Sequence, residues 1–273
     1  MNISTWLIEA TKRLKNIGIE SNRLDAELIL AETLHKNRTY LHAHLDEEVD
    51  LRRLDIANAR LQLRLERVPM AYILGRKEFY GREFMVTPQV LIPRPESESI
   101  IELFLEVSAD DISGQSSLID IGTGSGCLGI TAKLERPDID VTLVDISEPA
   151  LNVASKNAEK LEASVNIQRQ NLLYGQIRPL NYILANLPYV DEDWQVSPET
   201  EYEPELALYA NNDGLKLIYE LIDQTPRHLV SGGWLILEAD PRQHQAITNY
   251  ASKRGLSLFK SQDFCLALRR ESA

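Results

Sequence analysis

Leu118-Ile119-Asp120-Ile121-Gly122-Thr123-Gly124-Ser125-Gly126-Cys127 is the stretch on which the reading of this chain turns. A short apolar run gives way to three alternating glycines, and a helical pattern opens near Cys127, so strand, tight turn and helix follow one another. Glycine at 122, 124 and 126 permits left-handed backbone and lets a ligand approach the main chain. The next strand, over residues 140–145, ends in Asp145, whose carboxylate can accept hydrogen bonds from both hydroxyls of a ribose.

Two cofactor classes compete for this pattern. Gly124-Ser125-Gly126-Cys127-Leu128-Gly129 matches GxGxxG, and Asp145 lies 21 residues beyond Gly124, the arrangement of a nicotinamide dinucleotide site. Two residues weigh against it. Asp120 stands before the first glycine, where an acid suits a cationic amino-acid tail better than a pyrophosphate. Counted from Gly122, the third glycine of that motif falls on Cys127. S-adenosylmethionine, with its ammonium, sulfonium and unphosphorylated ribose, fits better. Candidate cofactor residues are therefore Asp120, Gly122, Thr123, Gly124, Ser125, Gly126 and Asp145. After the third strand, Asn171 can bond an adenine edge while Leu172 packs on its face. Glycine-rich turns also occur in sheets without a cofactor, but the two carboxylates argue against that here.

Outward from the turn, strand and helix signals alternate. Strands are expected over residues 117–121, 140–145, 165–168, 182–185 and 233–238. Helices are expected over 98–107, 127–134, 149–161, 214–229 and 242–253. Such alternation implies an α/β, Rossmann-like sheet, mostly parallel and covered on both faces, with ligands bound outside the carboxyl ends of its strands.

About 60 residues beyond the glycines, the apolar run Tyr182-Ile183-Leu184-Ala185 ends in Asn186-Leu187-Pro188-Tyr189. Asn186 offers a side-chain carbonyl. Leu187, preceding proline, is pushed to an extended conformation that can turn its own carbonyl into a site. Two acceptors aimed at one NH₂ group would orient a planar amide or amine, and Tyr189 could stack on it. Asn186 to Tyr189 are the candidate catalytic residues, with Asn186 bordering the cofactor as well. Taken alone, the four residues are equally a strand ending in a proline turn.

The first 95 residues have a different texture. Trp6, Leu7, Ala10, Leu14 and Ile17 recur at helical spacing up to Gly18, a second helix runs from Leu24 to Leu34, and a third carries Leu51, Leu54, Ile56, Leu61 and Leu65. Tyr72 to Gly75 and Glu78 to Val86 alternate around glycines like a hairpin. Leu91-Ile92-Pro93-Arg94-Pro95-Glu96 is a stiff connector. The expected organisation is a helical domain over 1–66, a hairpin linker over 67–96 and a catalytic domain over 97–273.

Of 273 residues, 44% are hydrophobic and 26% charged, an ordinary soluble composition. No apolar run approaches the roughly 20 residues of a membrane span, and the N-terminus lacks a signal-peptide pattern. Cys127 and Cys265 have no metal-ligand spacing, and His42 and His44 lie in a polar stretch suited to a solvated helix end or loop. These features point to a cytoplasmic protein with no metal and no membrane. The net charge is −12; residues 1–95 hold 15 basic and 13 acidic side chains, so the acidic excess lies beyond them. Asp191, Glu192, Asp193, Glu199, Glu201, Glu203 and Glu205 follow the tetrapeptide and form an expected acidic rim. Such a rim repels a phosphate backbone and suits a basic protein.

Over nearly its whole length the chain resembles the bacterial peptide-chain-release-factor glutamine methyltransferases. Their NPPY motif stands here as Asn186-Leu187-Pro188-Tyr189. Their linker is similar to Pro69 to Gly75, Phe79-Tyr80-Gly81 and Leu91 to Glu96. Asp25-Ala26-Glu27-Leu28, Tyr202 to Leu208, Asp213-Gly214-Leu215 and Leu237-Glu238 with Gln243 match further stretches. Three departures stand out. Leu187 replaces the first proline, giving the NLPY form of rRNA adenine dimethyltransferases. Ala239-Asp240 replaces Ile-Gly, and Ser261 to Leu266 lacks the family's DLAGRDR-like hairpin.

The resemblance implies methyl transfer from S-adenosylmethionine to the side-chain amide of the glutamine in the GGQ motif of class I release factors. Asn186 and the Leu187 carbonyl would hold the amide, and the helical domain would recognise the substrate. A monomer is expected, and the acidic rim weighs against direct nucleic-acid contact. The alternatives are an adenine-N6 methyltransferase on nucleic acid, a ribosomal-protein glutamine methyltransferase and a non-enzymatic module that retains the cofactor pocket. The form of the Ile92 to Glu96 linker favours release factor over ribosomal protein.

Overall fold

Ile121, the last residue before the glycine turn, pairs in parallel with Ala185, the last before Asn186, and this pairing organises the larger of two structural units. The computed structural model describes residues 1–111, 116–191, 193–194 and 197–271. One unit comprises Met1–Gly75 and Ser197–Tyr202; the other comprises Arg76–Val196 and Glu203–Ala273.

The first unit contains α1 (Ile3–Asn16), α2 (Asn22–Leu34), α3 (Arg38–Ala43), α4 (Leu51–Leu65) and α5 (Met70–Leu74). Asn2, Asn37 and Asp50 cap α1, α3 and α4 by accepting from the amides of Thr5, Tyr40 and Arg53. Its core is built from Trp6, Leu7, Ala10 and Leu14 with Ile29, Leu30, Leu54, Ala57 and Leu61. On α4 the buried stripe runs Leu54, Ala57, Leu61; Leu51 and Ile56, also apolar on this helix, are exposed. Ile56 lies two residues from Leu54, on the far side of the helix. Asp25 and Glu27 are also buried. Arg64 donates to Asp25 at 2.7 Å, while Arg23 and Arg38 reach Glu27 at 2.6 and 2.7 Å. Arg64 and Arg67 both reach Glu199, at 3.2 and 3.3 Å, and hold the returning segment against α4.

The second unit opens with a hairpin, β1 (Arg76–Phe79) and β2 (Arg82–Met85), turning at Tyr80 and Gly81, which both have positive φ. The expected first arm, Tyr72 to Gly75, is instead the end of α5 and its left-handed cap Gly75. Then come α6 (Glu98–Ser108), β3 (Ser117–Ile121), α7 (Cys127–Glu135), β4 (Asp140–Asp145), α8 (Glu148–Lys160), β5 (Asn166–Arg169) and β6 (Leu180–Ala185). They are followed by α9 (Lys216–His228), β7 (Leu229–Glu238), α10 (His244–Ser252), β8 (Leu256–Gln262) and β9 (Cys265–Arg270).

The seven-stranded sheet has the order β5-β4-β3-β6-β7-β9-β8, parallel except for β9 and β8. Ile119, Ile121, Ile183, Ala185, Leu235 and Leu237 pack on one face, with α9 and α10. Leu118, Tyr182, Leu184 and Ile236 pack on the other, with α6, α7 and α8. The chain runs outward from β3 to β5 and then returns to β3's other side as β6, so the order reverses between β3 and β6. A crevice opens at the carboxyl ends of strands at such a reversal. Although Ser261 to Leu266 departs from the family pattern, a hairpin forms there, turning at Asp263 with φ 51°.

Candidate active site

Parallel neighbours end together, so Gly122 after β3, Asn186 after β6 and Glu238 at the end of β7 lie in one row; the register pairs Ile121 with Ala185 and Ala185 with Leu237. The glycine turn bends back through left-handed Gly122, Gly124 and Gly126. Asp145 braces it, accepting from the Gly124 amide at 3.0 Å through one carboxylate oxygen and from the Ser147 amide at 2.9 Å through the other. Asn157 on α8 is fully buried and ties three backbone groups together. It accepts from the Met85 amide at 2.7 Å and donates to the carbonyls of Met85 at 2.9 Å and Ser125 at 2.8 Å.

One cavity joins the two halves of the site. Gly122 to Ser125, Asp145, Asn171 and Leu172 line it together with Asn186, Leu187 and Pro188. Asp120, Gly126 and Tyr189 do not line it. Asp120 is fully buried behind the turn, where its Oδ2 accepts from the Thr123 hydroxyl at 2.6 Å and the Gly129 amide at 2.9 Å. Among the described residues its Oδ1 has no partner, and burial pushes the carboxyl up to about 6. Tyr189 points its hydroxyl at Glu238 Oε1, 2.9 Å away, rather than presenting a ring to the cavity.

Behind Asn186 lies a group of side chains that the residue pattern alone did not single out for a role. Asn186 Nδ2 donates to Ser97 Oγ at 3.0 Å, and Ser97 in turn donates to Glu238 Oε2. Burial, with the nearby Glu96 charge, raises the Glu238 carboxyl, while hydrogen bonds from Ser97, Tyr189 and Asn186 oppose that rise. Among the described residues the Leu187 carbonyl accepts no hydrogen bond, and the Leu187 side chain packs over Gly122. Ser97 is a lone serine and carries no sequence signal; Glu238 was visible only as part of a family pattern.

The cavity wall opposite is built from the connector and from Pro204, Leu206 and Ala207. Arg94 pairs with buried Glu203, which also accepts from the Ile92 amide at 3.0 Å. The acidic rim is therefore smaller than its sequence suggests, since Glu203 and Glu199 are both held by arginines. Asp193, Glu201 and Glu205 remain exposed, and Glu192 lies outside the described residues.

The residues present fit S-adenosylmethionine. The backbone of Gly122 to Ser125 faces the cavity, Asp145 stands at the end of the next strand, and Leu128, Ile146 and Leu172 supply apolar walls.

Comparisons with known proteins agree. Residues 5–75 match the family model of the PrmC N-terminal domain, and residues 101–200 match that of the methyltransferase small domain. A release factor glutamine methyltransferase from Koribacter versatilis (strain Ellin345) is 39% identical over 255 residues, 88% of this chain and 89% of the relative. One from Coxiella burnetii is 36% identical over 239 residues, 84% of each. A T. thermophilus 16S rRNA methyltransferase solved with AdoMet and guanosine superposes with a TM-score of 0.53 at 16% identity, covering 72% of this chain and 50% of that one; this likeness concerns the fold alone. Both parts of the chain are thus matched, and nearly nine-tenths of it aligns with a relative of similar length: it belongs to the release factor glutamine methyltransferase family and is an S-adenosylmethionine-dependent enzyme.

Proposed function

We propose that the chain methylates the side-chain amide nitrogen of the glutamine in the GGQ motif of class I peptide chain release factors. The observation that carries this reading is the orientation of Asn186. Its NH₂ is engaged by Ser97, so its Oδ1 is the end left to accept from a substrate amide. The Leu187 carbonyl, without a donor among the described residues, supplies the second acceptor.

S-adenosylmethionine supplies an electrophilic methyl on a sulfonium when bound. Gly122 to Ser125, Asp145, Asn171 and Asn186 would hold it, with Asp120 and Gly126 shaping the turn from behind. Asn186 and Leu187 hold both protons of the substrate NH₂, which turns the nitrogen lone pair out of the hydrogen-bonded plane and toward the donor. Pro188 stiffens the loop that carries these acceptors. Holding nitrogen and methyl in line and excluding water supply the rate, with no covalent intermediate on the protein. The extra proton on the methylated nitrogen leaves to solvent, since a protonated amide is a strong acid.

The domain roles follow: residues 1–66 recognise the substrate, 67–96 link and 97–273 catalyse, in a monomeric cytoplasmic enzyme without direct nucleic-acid contact. Among the described residues no helix is long and apolar enough to cross a membrane. The acidic excess beyond residue 95 disfavours the adenine-N6 alternative. Incubation with radiolabelled donor and either a release factor or RNA tests the assignment. Label in the protein is expected, and label in RNA alone would overturn it.

A further inference from the structure

We propose that Ser97 and Glu238 are positioning residues that set which end of the Asn186 side-chain amide faces the substrate. An asparagine amide has two ends of nearly equal shape, one a double donor and the other an acceptor. Only the acceptor end can hold a substrate NH₂; a half-turn about the last bond would set NH₂ against NH₂. Something behind Asn186 must therefore break the symmetry.

The hydrogen-bond order behind it does so. Both Glu238 oxygens accept, one from Tyr189 at 2.9 Å and the other from Ser97, and the Asn186 amide also bonds to this carboxyl group. Ser97 has one hydroxyl proton, and the carboxylate takes it. What Ser97 then offers Asn186 is a lone pair, which Nδ2 fills at 3.0 Å. The donors run one way, from Asn186 to Ser97 and to Glu238 and from Ser97 to Glu238, and leave Oδ1 for the substrate.

Ser97 ends the helical turn Pro95–Ser97 that runs into α6 and itself has helical backbone, so its hydroxyl caps no amide and is free to serve Asn186 and Glu238. It is only 2% exposed, and Glu238 only 1%, so water does not substitute for either partner. A buried acid held by two hydroxyls and an amide, with no cation among its bonded partners, is costly to maintain. Orienting Asn186 gives that cost a function.

The inference rests on Asn186 as the holder of the substrate amide, so the test carries both residues. Steady-state kinetics with a release factor, and calorimetric cofactor binding, are compared for the wild type, Asn186→Ala, Ser97→Ala and Ser97→Thr. Ser97→Ala should lower kcat about 30-fold, the scale of one hydrogen bond to a charged network. KM for the release factor and Kd for the cofactor should stay within about threefold. Ser97→Thr keeps the hydroxyl and should recover most of the rate. Undiminished kcat in Ser97→Ala, or loss of cofactor binding along with kcat, overturns the proposal. Undiminished kcat in Asn186→Ala instead overturns the underlying assignment of Asn186, which separates the two failures.

Discussion

Gln243 holds the backbone carbonyl of Tyr189 at 3.0 Å through its side-chain Nε2, which also reaches the Asp213 carbonyl at 2.7 Å. A residue beyond the last parallel strand thereby sets the height of the loop that carries Asn186. Gly214 fits into the same joint with φ +78°, and a Cβ there would lie 1.9 Å from the Tyr189 oxygen. Gly214→Ala must therefore displace the loop. It is expected to cost at least about 1–2 kcal/mol from the left-handed conformation alone, and to lower kcat more than cofactor affinity. Thermal denaturation and turnover check this; wild-type values for both would contradict it.

Asp120 makes stability fall as pH rises. Its carboxyl is raised from 3.8 to about 6, so the native state binds the proton more tightly than the unfolded chain does. The contribution is fully present below about pH 4 and is lost progressively up to about pH 6, a difference of about 3 kcal/mol. Denaturant titrations of the cofactor-free protein across this range should show that decline, and Asp120→Asn should flatten it. Equal slopes in the two proteins would rule Asp120 out as the source.

Asn157 secures the glycine turn from below through the Ser125 carbonyl and secures β2 through both backbone groups of Met85. Asn157→Ala leaves these buried groups without partners and should cost about 2–4 kcal/mol. Because the turn loses its brace, cofactor Kd should rise as well. Calorimetry on the variant below its melting temperature reads the second effect separately.

Leu187→Pro restores the NPPY form. No hydrogen bond from the Leu187 amide is lost among the described residues, and the carbonyl remains. The buried leucine contact over Gly122 is lost, so stability should drop by about 1–2 kcal/mol. Turnover should stay within about threefold of wild type. A collapse in kcat with normal cofactor binding would mean that the leucine side chain, not the carbonyl, is what the reaction needs.

The elements nearest the chemistry were legible because each pairs an apolar run with a sharp terminator: glycines after Ile121, Asn186 and Pro188 after Ala185. The strands β3 and β4 fall where the pattern placed them. The last hairpin gave no comparable signal. Cys265, Leu266, Ala267 and Leu268 are buried on both faces, so β9 shows no alternation to read. Tyr72 to Gly75 mimicked a hairpin arm because its apolar residues abut Gly75, which in fact caps the single helical turn Met70–Leu74. Ser97 was invisible for a different reason. Its importance comes from Glu238, 141 residues away in sequence, and no local pattern encodes that meeting. Glu199 and Glu203 read as solvated rim charges because their arginine partners, Arg64 and Arg94, are equally remote.

The central claim is that Asn186 presents a glutamine amide to the methyl donor. Tandem mass spectrometry of a class I release factor incubated with S-adenosylmethionine and either the wild type or Asn186→Ala tests it most directly. A single methyl on the GGQ glutamine side chain with the wild type, absent with Asn186→Ala although that variant still binds cofactor, is the predicted result. A methyl on any other residue, or the same methyl delivered by Asn186→Ala, would contradict it.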